Sequence, residues 1–266
     1  MVMYSHSRLS TFEQCPLKFR YRYIEMIPPE FEQSIEGFLG NKVHDTLEWI
    51  YNHPSKDSLV LDRVIEHFIE NWNRDFKPGI KIVKQDFTAE HYFNKGVKFL
   101  INYFMKHSPF EDNTIATEKR IFINLDSEGK YKLQGYIDRL VHHKDSNVFE
   151  IHDYKTSASM KSQRELDNDR QLALYALGVR QSYNEARDVH LFWHFLDFNE
   201  QKFSKRSLEQ LEELKKELIQ LIDKIESATE FPAVQSALCG WCEFRSHCPV
   251  IQEEILSKEL GGYNGN

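Results

Sequence analysis

Apolar residues recur along the chain with two periods. Between Gly37 and His53, Phe38, Leu39, Val43, Leu47, Ile50 and Tyr51 fall three or four positions apart, as on one face of a helix. The same spacing predicts helices over Leu59 to Phe76 (Val64, Ile65, Phe68, Ile69, Trp72) and Thr88 to His107 (Phe93, Val97, Leu100, Ile101, Phe104). The period then drops to two. From Asn113 to Leu125, Ile115, Thr117, Lys119, Ile121 and Ile123 alternate with Ala116, Glu118, Arg120, Phe122 and Asn124. After a turn at Asp126 to Gly129, Tyr131 to Val141 places Leu133, Gly135, Ile137, Arg139 and Val141 on one face. Gln134, Tyr136, Asp138 and Leu140 take the other. A polar turn, His142 to Asn147, leads to a third strand over Val148 to Lys155, with Phe149, Ile151, Asp153 and Lys155 on one face. Ser162 to Tyr183 reads as a helix, Val189 to Phe198 as a buried strand, and residues 207–227 as a charged amphipathic helix. At the N-terminal end, Ser7 or Ser10 caps a helix reaching about Ile24, which should break at Cys15-Pro16 because proline lacks an N–H. The order of elements predicts an α/β fold. Residues 55–109 form a helical insertion, the segment from Pro232 is irregular, and residues 261–266 are expected to be disordered.

Composition narrows the class. The chain has 266 residues, 41% of them hydrophobic, enough for one large domain with a substantial core. A formal net charge of -7 argues against an indiscriminate polyanion binder, so any nucleic-acid groove must be a local basic patch. One candidate patch is Lys18, Arg20 and Arg22, alternating with Phe19, Tyr21 and Tyr23 and so combining phosphate contacts with stacking surfaces. Solvated cations lying along a helix are the ordinary alternative. MVMYSHSRLS lacks the apolar run of a signal segment, and no stretch approaches the roughly 18 apolar residues of a membrane span, so a cytoplasmic protein without membrane association is expected. In a reducing compartment the four cysteines are metal ligands or free thiols sooner than disulfides. Cys239, Cys242 and Cys248 cluster as C-x2-C-x5-C, and Cys15 stands far upstream. Four thiolates at one site suit Zn²⁺ or an iron–sulfur cluster, and spacing alone does not separate the two.

The candidate chemistry lies between Gly135 and Thr156. Asp153 and Lys155 point the same way, roughly 7 Å apart along their strand, and Asp138 sits on the hairpin partner. Two carboxylates hold a hard divalent cation through oxygen. A neighbouring lysine can orient a water or stabilise developing charge. Taken alone, such a triplet is more often a strand-end salt bridge.

Its company carries a resemblance. Asp138 after Gly-Tyr-Ile, then Asp153-Tyr154-Lys155-Thr156, then Gln171 and Tyr175 one helical turn apart, resemble the PD-(D/E)XK nucleases of the RecB-like branch. His44, in GNKVH, matches that branch's histidine; as a lone histidine near an apolar helix face it would read as a core residue. The resemblance covers nearly the whole chain. It implies a restriction-endonuclease-like mixed sheet with an αβββαβ core flanked by helices, in a single domain over residues 1–266. It implies Mg²⁺ or Mn²⁺ on His44, Asp138, Asp153 and the Tyr154 carbonyl, with Lys155 orienting or activating the attacking water and Gln171 and Tyr175 on the substrate side. Glu118 stands where this superfamily often has an acid near the metal. The one-plus-three cysteines resemble the iron–sulfur subset, which includes AddB and the CRISPR-associated RecB-like exonucleases. That implies a [4Fe–4S] cluster on Cys15, Cys239, Cys242 and Cys248 joining residues 1–24 to 232–250, with Zn²⁺ the alternative. The implied activity is a DNA exonuclease preferring single strands, in repair, recombination or CRISPR spacer acquisition; an inactive nuclease fold serving as a scaffold is the alternative. No GxxxxGK[ST] loop occurs, so ATP-driven unwinding would need a helicase partner. A CRISPR integrase is the other partner the resemblance implies.

Overall fold

The computed structural model describes residues 2–56 and 58–253; the tail at 261–266 lies outside them. A short strand β1 (Tyr4–Ser5) precedes α1 (His6–Gln14) and α2 (Pro16–Phe19), and Arg20–Ile24 adds a π-helical turn. Pro16 opens α2, where its missing N–H costs nothing, so the chain breaks at Cys15 as expected. Three helices follow: α3 (Ile35–Asn52), α4 (Leu61–Asp75) and α5 (Ala89–His107). The strands β2 (Thr114–Asn124), β3 (Lys132–His143) and β4 (Val148–Lys155) come next. Then come α6 (Gln163–Asp167), α7 (Arg170–Ser182), β5 (Asp188–Phe195), β6 (Glu200–Lys205) and α8 (Leu208–Glu226).

The sheet is mixed, with strand order β1-β3-β4-β5-β6 and β2 on the other edge of β3. β3 runs antiparallel to β2 and β4, β4 runs parallel to β5, and β5 pairs antiparallel with β6. One core joins α1, α7 and α8 to the sheet through Ile121, Leu133, Ile137, Ile151, Leu172 and Leu218. A second packs α3, α4 and α5 around Leu39, Val43, Phe68, Trp72 and Leu100 and reaches the sheet at Tyr154. α4 and α5 thus form, with α3, a helical layer that meets the sheet at Tyr154.

Three readings need correction. The helix read as continuous over Ser162 to Tyr183 is two helices. Asp169 caps the second by accepting from the Leu172 N–H at 3.3 Å, a bond that a continuous helix would not allow. Two strands, β1 and β6, lie outside the expected core. Arg139 does not share a face with Leu133 and Ile137. Those two enter the α7 core together with Leu140, three residues past Ile137, so β3 turns over between them. Arg139 points to the opposite layer, where its Nε donates to the Tyr154 hydroxyl at 2.9 Å and its Nη2 meets His152 Nδ1 at 2.9 Å. Tyr103 Oη lies 3.1 Å from Tyr154 Oη and 2.7 Å from Tyr51 Oη, which extends this buried network into α5 and α3.

Gly135 sits where α7 crosses β3. A Cβ there would lie 2.3 Å from Tyr175 Cε1, so no side chain fits without moving the tyrosine ring. Gly135→Ala is expected to cost about 1–3 kcal/mol by overpacking, read from urea denaturation.

Candidate active site

The site forms where β3 loses its neighbour. One edge of β3 is shared: β1 pairs with Leu133 and Gln134, and β4 pairs from Arg139 to His143. Between these ladders the edge is open. The Tyr154 N–H, which would otherwise continue the β3–β4 ladder, donates instead to Asp138 Oδ2 at 2.8 Å. The fork therefore fixes the Asp138 carboxylate and turns the Tyr154 peptide toward α3. There the His44 Nε2 lies 2.9 Å from the Tyr154 carbonyl oxygen, and its Nδ1 lies 3.5 Å from Asp138 Oδ2.

Glu118 completes the group. Its Oε1 is 4.0 Å from His44 Nδ1, and one ligand atom from each of His44, Glu118 and Asp138 falls within 4.8 Å of the others. Thr117 pairs with Arg139 and Lys119 with Ile137, so Glu118 stands opposite Asp138 across the ladder. Like charges so placed repel. Glu118 also has φ 43°, a left-handed conformation that costs a non-glycine residue about 1–2 kcal/mol. Burial, then the charge of Asp138, pushes the Glu118 carboxyl up to about 7. Burial likewise raises Asp138 to about 6; His44 and Lys155 oppose the shift and Asp153 adds to it.

Asp153 and Lys155 face α7. Lys155 Nζ lies 2.7 Å from Asp153 Oδ2 and donates to Gln171 Oε1 at 3.0 Å. The Gln171 amide donates to Asp153 Oδ1 at 3.2 Å and lies 3.3 Å from the Tyr175 hydroxyl. Gln171 thus holds the acid and the lysine with opposite ends of one amide. Asp153 Oδ2 is charge-paired with Lys155 but accepts no aligned hydrogen bond among the described residues. Burial acts to lower the Lys155 pKa, but Asp153, with Asp138 and Asp169, outweighs it and the pKa is raised.

The donor set suits a hard divalent cation, being carboxylate oxygens, a carbonyl oxygen and one imidazole. His44 Nε2 and the Tyr154 oxygen lie at 2.9 Å, within hydrogen-bond distance of each other. A cleft of about 340 Å³ opens onto His44 and Glu118, lined also by Gln33, Lys42, Asp45 and Asp75. Glu118 was the residue hardest to rank from sequence, because an exposed strand glutamate looks the same.

All four cysteines line one pocket with Lys18, Arg245 and Val250. Among the described residues their ligand atoms do not gather within 4.8 Å as the His44 group does. Backbone N–H groups of Val234 and Ser236 point at the sulfurs of Cys15 and Cys239, at 3.5 and 3.3 Å. The two chain segments are joined here by Leu17 N–H to the Pro232 carbonyl at 3.2 Å and Tyr21 hydroxyl to the His247 carbonyl at 3.0 Å. The Lys18–Arg22 patch is not a row of free cations. Glu243, itself buried, pairs with both Lys18 and Arg22, and Glu25 pairs with Arg20.

No helix among the described residues is long and apolar enough to cross a membrane. No curated protein sequence matches the chain. Among solved structures, a candidate exonuclease from Eubacterium rectale aligns with TM-score 0.55 and 14% identity, covering 92% of this chain and 87% of that one; at such identity the likeness concerns the fold. A second, SSO0001, has TM-score 0.40 and 16% identity over 80% of this chain and 95% of its own, and carries no argument. A family model described as the PD-(D/E)XK nuclease superfamily matches residues 3–249. With its acid, acid and lysine placed around one fork in the sheet, the chain belongs to the PD-(D/E)XK nuclease superfamily.

Proposed function

We propose that this nuclease hydrolyses DNA phosphodiester bonds with a divalent cation held by His44, Asp138, Asp153 and the Tyr154 carbonyl, with Glu118 as a further ligand. The observation that carries this is the meeting of His44 and Asp138 at the Tyr154 peptide, with the Asp153–Lys155 pair on the same strand. Bound there, Mg²⁺ or Mn²⁺ supplies charge neutralisation at a phosphoryl oxygen and a more acidic water. Asp138 is fixed by the Tyr154 N–H and Asp153 by Gln171, so the acids are positioned before substrate arrives. Lys155, whose pKa is raised, stays an ammonium at neutral pH. It orients or activates the attacking water and stabilises developing negative charge. Gln171 sets the distance between Asp153 and Lys155. Tyr175 acts behind Gln171, its ring buried against Gly135.

The preferred substrate in this reading is a single strand attacked from an end, in repair, recombination or CRISPR spacer acquisition, with a helicase or integrase supplying the substrate. Mn²⁺-dependent shortening of end-labelled single-stranded DNA tests it. Full-length product under those conditions would favour the scaffold alternative, which the intact His44, Asp138, Asp153 and Lys155 argue against.

The four cysteines are assigned a [4Fe–4S] cluster that fastens the N-terminal helices to the C-terminal segment. The N–H groups aimed at the Cys15 and Cys239 sulfurs suit thiolates bound to either group, and the one-plus-three order of the cysteines supports the cluster. Anaerobically purified protein is expected to contain iron and sulfide in the ratio of that cluster. Cys242→Ser is expected to lose the iron and lower the thermal midpoint; zinc in place of iron would overturn the assignment.

A further inference from the structure

The open edge of β3 holds a cavity of about 310 Å³, lined by Ser5, His6, Ser7, Gln134, Gly135, Tyr136, Gln171 and Tyr175. It lies in the fork between β1 and β4, and its wall includes Gln171, the residue that grips Asp153 and Lys155. Its lining includes polar residues: Ser5 and Ser7, whose hydroxyls lie 2.9 Å apart, Gln134, and His6, whose buried Nδ1 has no hydrogen-bond partner among the described residues. Burial and then Arg170 hold the His6 pKa down to about 4, so its imidazole is neutral.

A surface ribbon leads into this cavity. Beyond Glu118 and Asp138, one face of the β2–β3 pair is buried against α7 through Ile121, Ile123, Leu133 and Ile137. The alternate residues are open to solvent, with Phe122 53% and Tyr136 49% exposed. Arg120 lies directly opposite Tyr136 and Phe122 opposite Gln134. The Arg120 guanidinium sits 4.8 Å from the Phe122 ring centroid and donates to Gln134 at 2.6 Å. Aromatic rings on a strand normally face a core. Here two stand in water with a cation between them, about 7 and 13 Å along the strand from the Glu118–Asp138 pair.

We infer that this ribbon and cavity are the track for a single strand of DNA, with successive bases stacked on Phe122 and Tyr136 and one nucleotide seated in the Ser5–Tyr175 cavity beside Lys155. The inference rests on the nuclease reading above and gives it a substrate path. Stacking on a flat ring needs a base with a free face, which single strands offer and duplexes do not. The cavity is of small-ligand size and takes one nucleotide, not a base pair. Arg120 supplies the phosphate contact that the Lys18–Arg22 patch, neutralised by Glu243 and Glu25, does not.

The test is steady-state cleavage of an end-labelled single-stranded oligonucleotide with Mn²⁺, comparing wild type, the Phe122→Ala/Tyr136→Ala double variant and Tyr136→Phe. Each lost stack is expected to weaken binding roughly five- to a hundredfold. The double variant should therefore show a KM raised at least tenfold, with the loss in KM and not in kcat, while Tyr136→Phe keeps the wild-type KM. Because both rings are exposed, the thermal midpoint should hold within a few degrees. An oligonucleotide with abasic positions should bind wild type as poorly as the double variant binds the normal one. A KM within twofold of wild type, or equal loss with Tyr136→Phe, would overturn the track and leave the nuclease reading standing. A wild type that leaves single strands intact would overturn both.

Discussion

Lys155→Met is expected to lower kcat on single-stranded DNA by about 10² to 10³-fold, the usual loss when one pre-set charge stabiliser of a transition state is removed. The substitution keeps the stem and removes only the ammonium. The lysine side chain is 30% exposed while its partner Asp153 is 4% exposed, so the ammonium is open to solvent and the acid stays inside. Substrate binding and Mn²⁺ affinity should change far less than kcat, since Lys155 is not a ligand in this scheme. A variant that retains wild-type kcat would remove Lys155 from the chemistry. One that loses Mn²⁺ binding in proportion would make its role structural.

Asp138→Asn is expected to inactivate the protein and stabilise its metal-free form at the same time. Partners that merely support a metal ligand cost roughly 10- to 100-fold when lost, and a ligand should cost more. In the metal-free state, however, the Asp138 carboxylate is buried and faces Glu118 and Asp153. Its folded pKa, near 6, and that of Glu118, near 7, lie above the ordinary carboxyl range. For groups raised in this way, stability is fully present below their unfolded pKa and is lost as pH rises through the folded values. The thermal midpoint in EDTA should thus decline as pH rises from about 4 to about 7 and level off above, and Mn²⁺ should restore it. Asp138→Asn keeps an oxygen for the Tyr154 N–H, removes the charge, and should flatten that decline. A wild-type midpoint that rises over the same interval would show that these acids are not the repelling pair described.

Much of this arrangement could be read from residue order. Period-two alternation located β2, β3 and β4, and the spacing of Asp153 and Lys155 gave a shared face that the 2.7 Å ion pair bears out. Gln171 and Tyr175 fell one turn apart, as their contact requires. What periodicity missed depends on departures from regular geometry. Alternation assumes that every residue keeps the strand conformation, and the positive φ of Glu118 breaks it. The turnover of β3 that sends Arg139 into the tyrosine network is invisible for the same reason. The break before α7 was marked by Asp167-Asn168-Asp169, a run of N-cap residues inside a helical pattern, and could have been found. β1 has two residues and no pattern of its own, yet its pairing with Leu133 and Gln134 creates the fork. Glu243 neutralises Lys18 and Arg22 from over 200 positions away, a partnership that only the joined termini create.

The central claim is that His44, Asp138 and the Tyr154 carbonyl, with Glu118 and Asp153, enclose one divalent cation beside Lys155. Anomalous diffraction at the manganese edge from crystals grown with Mn²⁺ tests it most directly. The expected map has its strongest manganese peak between the His44 imidazole, Asp138 and the Tyr154 oxygen, and Asp138→Asn removes it. A manganese peak seated elsewhere, or none at this fork in crystals of catalytically active protein, would contradict the account.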